Sequence, residues 1–141
     1  MIHPTATILF AYLLLITAAH ASWPRWRGVD GMATWQQPGA PADLGVNEPE
    51  MLWRVDAGKG YGGITANDKH LFVLDRLTEP KEVERIRCLK AGSGAEVWRH
   101  EWPVTYGKMG GYSTGPRSTV LLHHSGGMDR AYAFGATGQL Y

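Results

Sequence analysis

An internal repeat is the feature of this sequence that most constrains its fold. Trp53-Arg54 recurs 45 residues later as Trp98-Arg99, and each pair closes a short apolar run. Gly60–Gly62 recurs in outline as Gly111–Ser113. A unit of this size cannot bury both of its faces alone, so such repeats are stable only when they stack on neighbours. The sequence therefore indicates consecutive, similar units rather than one irregular core.

Between positions 51 and 134 the sequence shows short apolar runs separated by turn residues. The runs that predict strands are 51–55, 70–75, 83–89, 96–102, 118–122 and 130–134. Their close spacing predicts antiparallel hairpins, and about four strands per repeat of this length is typical of a β-propeller blade. We therefore expect an all-β chain that forms an incomplete β-propeller of four-stranded antiparallel blades. Residues 51–102 would supply a closing strand and the first blade, and residues 103–141 the truncated start of a second.

The first 21 residues have the pattern of an export signal. Residues 8–17 are uncharged and apolar, and Ala19-His20-Ala21 has the small-x-small pattern of a cleavage site. The apolar stretch is shorter than the roughly 20 residues that span a bilayer. We expect a signal-peptide helix over 1–21 that is cleaved after Ala21, which leaves a periplasmic or extracellular protein without a membrane span. An uncleaved anchor and a buried helix are the alternatives.

Residues 22–50 differ from the segment that follows. They hold Trp23, Trp26 and Trp35 among four prolines. So many prolines are unsuited to a central strand, and so many tryptophans are unsuited to a solvated linker. We expect an irregular N-terminal strap that packs on the outside of the sheets. A platform on which sugar rings stack is the alternative.

Residues 88–98, with the sequence CLKAGSGAEVW, resemble the repeat of PQQ-type (pyrroloquinoline quinone) β-propellers. In that family an Asp-x-x-Thr-Gly-x-x-x-Trp hairpin joins the third and fourth strands of each blade. Gly94 and Trp98 match this motif, Ser93 stands in for the threonine, and Lys90 replaces the aspartate. The segments 23–28, 60–62 and 115–119 are also similar to exported bacterial members, so the likeness extends over residues 22–141.

The resemblance implies that Trp53, Ser93, Gly94 and Trp98 are structural repeat residues that hold neighbouring blades together. Gly94 is expected to adopt a positive φ in its hairpin, and Trp98 to be largely buried against the next sheet. The chain would then be an N-terminal fragment of a propeller with about six to eight blades. The open sheet edges of such a fragment favour edge-to-edge association of two copies.

Three further residues are candidates for a ligand-binding face. Tyr61, Tyr112 and Arg117 occupy equivalent loops between blades, and in a propeller such loops converge on one face near the axis. A protein or a carbohydrate is the expected ligand of this face.

Four other motifs have a structural explanation beside a chemical one. Gly58–Gly63 fits G-x-G-x-x-G, but a hairpin follows it instead of a helix, which favours a glycine-rich blade junction over a nucleotide site. His123-His124 would point to opposite faces of a strand, which favours surface histidines over a metal site. Cys88 is interpreted as a buried, inert thiol. The alternating charges of Glu79–Arg85 indicate a solvated loop, with a protein-docking loop as the alternative.

Composition narrows the classes of function. The chain carries 14 Lys and Arg against 13 Asp and Glu, so it has no basic field for nucleic acid. Its single cysteine excludes an intramolecular disulfide.

We expect a non-catalytic binding or scaffold protein of the cell envelope, with no cofactor. The alternative is part of a quinoprotein dehydrogenase that uses PQQ with Ca²⁺ on alcohols or sugars, although no catalytic, cofactor-binding or metal residue can be assigned. A fragment without autonomous activity is the third hypothesis.

Overall fold

The computed structural model describes residues 22–35, 49–110 and 114–141, and within these ranges the chain is all-β with no helix. The strands are β1 (Thr65–Ala66), β2 (His70–Leu77), β3 (Val83–Lys90), β4 (Glu96–Pro103), β5 (Leu121–Ser125) and β6 (Met128–Tyr132). The expected signal peptide over 1–21, part of the strap and Tyr112 lie outside the described residues. Nothing in the described ranges is a helix long and apolar enough to cross a membrane.

The first sheet is a four-stranded antiparallel meander in the order β1-β2-β3-β4. The β2–β3 ladder is continuous from His70–Lys90 to Leu77–Val83, and large apolar side chains, Phe72, Leu74 and Ile86, occupy its core-facing positions. Gly94 has a φ of +70° in the β3–β4 turn, and its amide donates to the Lys90 carbonyl over 2.8 Å. The expected all-β class and antiparallel pairing are confirmed.

The second sheet has two strands, β5 and β6, joined by a tight turn at Gly126-Gly127. Both glycines have positive φ, 60° and 74°, as the type I′ turn of a two-residue hairpin requires. Beyond β6 the chain turns back, and Ala133 and Tyr141 exchange two backbone hydrogen bonds of 3.0 Å each. Tyr141 therefore lies beside the continuation of β6, in antiparallel register.

The hydrophobic core lies between the two sheets. Its buried members are Phe72, Leu74, Ile86, Cys88, Trp102, Val104, Val120 and Ala133. Alternation along β2, β3 and β4 places the members of these strands on one face of the four-stranded sheet. Trp102 is 3% exposed and stacks on Tyr141, with 4.3 Å between ring centroids.

A buried ion pair occupies the opposite face of the sheet. Arg85 donates to Asp75 through Nε and Nη2 over 2.7 and 3.1 Å, and the Gly58 amide donates to the same carboxylate over 2.6 Å. The hydrogen bond to Asp75 is the main reason that the pKa of Arg85 is raised. Arg85 thus lies within a strand and is 8% exposed, so the predicted solvated loop over 79–85 is wrong at its C-terminal end.

A second buried polar cluster lies on the core face. Glu84 is fully buried and accepts hydrogen bonds from the Tyr106 hydroxyl over 2.5 Å and from the Ala136 amide. Arg76 pairs with Glu82, donates to the Tyr106 carbonyl over 2.7 Å and lies 3.7 Å over the Tyr106 ring. Burial, followed by the contacts with Glu84, raises the pKa of Tyr106 to about 12.

Further sequence expectations also differ from the structure. Residues 51–55 form no strand, because no strand of the described chain lies beside them to complete a ladder. Trp98 is 41% exposed instead of largely buried, since only part of the core face is covered near β4. Strand boundaries also shift, since β5 begins three residues later than predicted and β6 two residues earlier.

Candidate functional site

The glycine-rich segment Gly58–Gly63 is a close junction between the two sheets. A Cβ on Gly58 would lie 2.3 Å from the Arg76 carbonyl oxygen, and a Cβ on Gly62 would lie 2.1 Å from the Ser118 carbonyl oxygen. Neither position has room for a side chain. The segment leads into β1 and not into a helix, so it lacks the helix N-terminus that a dinucleotide site needs. The glycines bring two backbones together.

Tyr61 and Arg117, two of the three predicted ligand-face residues, meet at this junction. The Tyr61 amide donates to the Pro116 carbonyl over 2.9 Å, which fixes the two segments side by side. The Arg117 guanidinium lies 5.8 Å from the centre of the Tyr61 ring, within the range of a cation–π contact. Arg117 also donates to the Met109 carbonyl over 2.6 Å. Both side chains are exposed, so the pair presents an aromatic and cationic surface to solvent.

A cleft of about 340 Å³ opens between the sheets, away from this pair. Its walls come from the start of β2, from β3 and β4, and from the β5–β6 hairpin. They include His70, Phe72, Cys88, Trp98, Leu122, His124, Asp129 and Arg130. The cleft lies beside the first residues of β2. The glycine junction lies at the other end of this strand, where Lys59 forms a β-bridge with Arg76. The molecule therefore has two separate candidate surfaces.

The polar groups of the cleft come mainly from the β5–β6 hairpin. His124 and Asp129 face each other across the hairpin with 2.6 Å between Nδ1 and Oδ1, and both are well exposed. His123 pairs with Arg130 at the neighbouring position. Within the described ranges no three His, Cys, Asp or Glu side chains are grouped to hold a metal ion.

Cys88 lies at the inner end of the cleft wall and is 2% exposed. Burial raises the pKa of its thiol, so the thiolate that would act as a nucleophile is disfavoured. This geometry is that of a packing residue, in the position on the Ile86 face that the sequence predicts.

The buried carboxylates do not fit the calcium ligands that a PQQ site requires. Asp75 is held by Arg85 and the Gly58 amide, and Glu84 is held by Tyr106 and the Ala136 amide. Calcium is bound by six to eight oxygen ligands, mostly from free carboxylates and carbonyls. Both oxygens of Asp75 and of Glu84 already accept hydrogen bonds from the protein.

The repeat residues Trp53 and Gly94 are also in contact. A Cβ on Gly94 would lie 2.5 Å from the Trp53 ring, and the Trp53 Nε1 donates to the Ala91 carbonyl over 2.9 Å. The indole therefore lies on the β3–β4 turn, which includes Ser93. Trp98 contacts the Phe72 ring at 6.0 Å instead.

His70, Asp129 and Arg130 line the cleft, although the sequence did not single them out as site residues. Each lies beside a predicted turn, and such positions are ordinary surface positions unless two sheets are known to face each other.

A comparison of the chain with models of protein families, with curated proteins and with solved structures finds no match in any of the three.

Proposed function

We propose that this chain is an exported β-propeller repeat module of the cell envelope that acts as a non-catalytic binding or scaffold protein. Export is supported by the uncharged apolar stretch over 8–17 and the small residues that follow it. The propeller-like arrangement is supported by a four-stranded meander that packs face to face on a second antiparallel sheet.

The contact of Trp53 with Gly94 supports a repeating array. In this contact an indole from one repeat lies on the hairpin glycine of the next, 41 residues further along the chain. Trp98 is the equivalent indole of the following repeat. Its 41% exposure is consistent with an indole on which the hairpin of another repeat would pack. PQQ-type propellers, which residues 88–98 resemble, pack their blades through this tryptophan motif.

The observation that carries the binding role is the exposed Tyr61–Arg117 pair. Tyrosine and arginine are enriched at the centres of protein interfaces, because both contribute large contact areas and directed hydrogen bonds. The pair sits on a junction of two backbones, so little conformational entropy is lost when a partner contacts it. A protein partner of the envelope is therefore the ligand that we propose, with a carbohydrate as the alternative.

Site-specific photo-crosslinking in the native host tests this proposal. A benzophenone amino acid replaces Tyr61 in one version of the protein and Leu52, which is 78% exposed, in the control. We expect a discrete protein adduct at position 61 that disappears when Arg117→Ala is added. Absence of an adduct at position 61, or the same adduct at position 52, would contradict the binding role.

The quinoprotein alternative has its own measurement. A PQQ site predicts a saturable, stoichiometric change in the absorbance of PQQ when the protein is added with Ca²⁺. We expect no such change. A saturable change would replace the proposed scaffold role by the dehydrogenase hypothesis.

A further inference from the structure

β4 is an edge strand whose outer side has no partner among the described residues. Every residue of Glu96–Pro103 except Trp102 is exposed. The outer edge presents a row of unpaired backbone groups, which is a template for another strand. We propose that β4 pairs antiparallel with β4 of a second copy of this chain, about a two-fold axis at His100. The two four-stranded sheets then form one continuous sheet of eight strands. The outer edge of β4 is a different surface from that of the Tyr61–Arg117 pair.

Hydrogen-bond geometry restricts the register of such a pairing. In an antiparallel ladder, two directly opposed residues either both point their backbone groups at the partner strand or both point them away. Along 98–103 of β4, beyond the register shift at Val97, this direction alternates from one residue to the next. When β4 pairs with its own copy, an odd-numbered residue must therefore oppose an odd-numbered residue. The two-fold axis consequently passes through one residue, which faces itself.

Charge selects among the registers that remain. An axis at Arg99 would oppose Arg99 to itself, and an axis at Glu101 would oppose Glu101 to itself. An axis at His100 opposes Arg99 to Glu101 of the second copy, and this opposite-charge pair occurs twice. Cross-strand pairs of opposite charge stabilise a sheet, and like charges directly opposed destabilise it. The axis at His100 therefore gives the register in which the charges of the two β4 edges are complementary.

The exposure of these side chains favours the pairing. The side chains of Arg99 and Glu101 are 52% and 41% exposed, and Arg99 Nε lies 3.7 Å from Glu101 Oε1 and 3.5 Å from Glu96 Oε1. The loose contacts within one chain leave both groups accessible to a second copy. Charges, prolines and bulges along an edge limit its pairing. On β4 the register shifts between Trp98 and Glu96, which leaves Val97 as an extra residue, and Pro103 has no N–H. The usable edge is therefore 98–102, and within it the charges are opposite in sign.

Charge reversal on the full chain tests the proposal by sedimentation velocity over a concentration series. Arg99→Glu and Glu101→Arg should each weaken dimerisation by about tenfold or more, because each replaces two attractive pairs by two repulsive ones. An equimolar mixture of the two variants should form a heterodimer, since an edge with two acidic groups then meets an edge with two basic groups. Arg54→Glu makes the same charge change outside β4 and should leave dimerisation unchanged.

Single cysteines read the register directly. Cα atoms of opposed residues are about 4.5–5.5 Å apart, which lies within the range of a disulfide. His100→Cys should therefore form an intermolecular disulfide under mild oxidation, and Arg99→Cys should not. Cys88 is buried and serves as the internal control for unspecific oxidation.

Each outcome decides the proposal. Heterodimer formation by the mixed variants together with crosslinking of His100→Cys would establish the pairing. A wild-type chain that stays monomeric across the series, association that ignores the charge reversals, or preferential crosslinking of Arg99→Cys would overturn it. None of these results alters the expected crosslinks from position 61, so the two proposals fail separately.

Discussion

Replacing Asp75 with leucine should destabilise the fold strongly, because it leaves a buried cation without its partner. Asp75 is 1% exposed, Arg85 is 8% exposed, and the carboxylate accepts three hydrogen bonds from Arg85 and the Gly58 amide. Breaking a buried pair by removing one partner costs about 3–5 kcal/mol. Arg85→Met should cost a similar amount, because Asp75 then keeps only the Gly58 amide as a donor.

The double replacement Asp75→Leu with Arg85→Met should be far milder than the sum of the single changes. A buried ion pair exchanged for apolar side chains of similar volume is often close to neutral. The Gly58 amide still loses its acceptor, which costs about 1–3 kcal/mol. We therefore expect a coupling energy of at least about 3 kcal/mol between the two positions.

Equilibrium unfolding in urea, followed by tryptophan fluorescence, measures these free energies. Where a single variant does not fold, Asp75→Asn keeps an acceptor for the Gly58 amide and should cost about 2 kcal/mol. Glu50→Gln, on an exposed side chain, is the matched control and should stay within about 0.5 kcal/mol of wild type. Additive single effects, or losses below about 1 kcal/mol for both single changes, would refute the reasoning.

Three further predictions concern the β3–β4 turn, the half-buried Tyr106 and the Cys88 thiol. Gly94→Ala should lower the free energy of unfolding by about 1–3 kcal/mol, because φ is +70° at this position and the new Cβ would collide with the Trp53 ring. Gly92→Ala is the control in the same urea titration and should be tolerated, because nothing lies within 4 Å of its Cβ. The pKa of Tyr106 is raised from 10 to about 12, so its contribution to the free energy of unfolding should be complete below pH 10 and be lost as the pH rises toward 12. Between these pH values the free energy of unfolding should fall less for Tyr106→Phe than for the wild-type protein. An equal fall in both proteins would contradict the assignment. The Cys88 thiol should react with a thiol reagent at pH 8 only as fast as the protein opens, and fast reaction without urea would disprove its burial.

The sequence was sufficient for the elements whose signal is local. The apolar runs around Phe72 and Ile86, and the turn at Gly94, predict strands and a hairpin from their own residues, and the structure has both. The repeat predicts that Tyr61 and Arg117 occupy equivalent loops that converge on one face, and in the structure the two side chains are in contact.

The features that the sequence did not reveal depend on contacts between distant segments. The burial of Glu84 and Arg85 requires the partners Tyr106 and Asp75, and an alternating run of charges gives no indication that such partners exist. The missing strand at 51–55 has the same cause, because a strand needs a neighbour as well as a suitable composition. The exposure of Trp98 reflects how far the second sheet extends over the first, which is a property of tertiary packing.

The meander connectivity also bears on how the protein folds. Among the described strands β1–β6, every hydrogen-bonded pair joins strands that are consecutive in the chain, so each new strand meets an edge that was completed just before it. The loops that these ladders close are short, so little loop entropy is lost before each strand pair forms. The slower steps should be the contacts between distant segments, because they close much longer loops. They include the docking of 58–63 against 115–119 and the hydrogen bond of 2.7 Å from the Leu122 amide to the Pro24 carbonyl. Order of synthesis and order of assembly therefore coincide within each sheet, and the closures between distant segments follow.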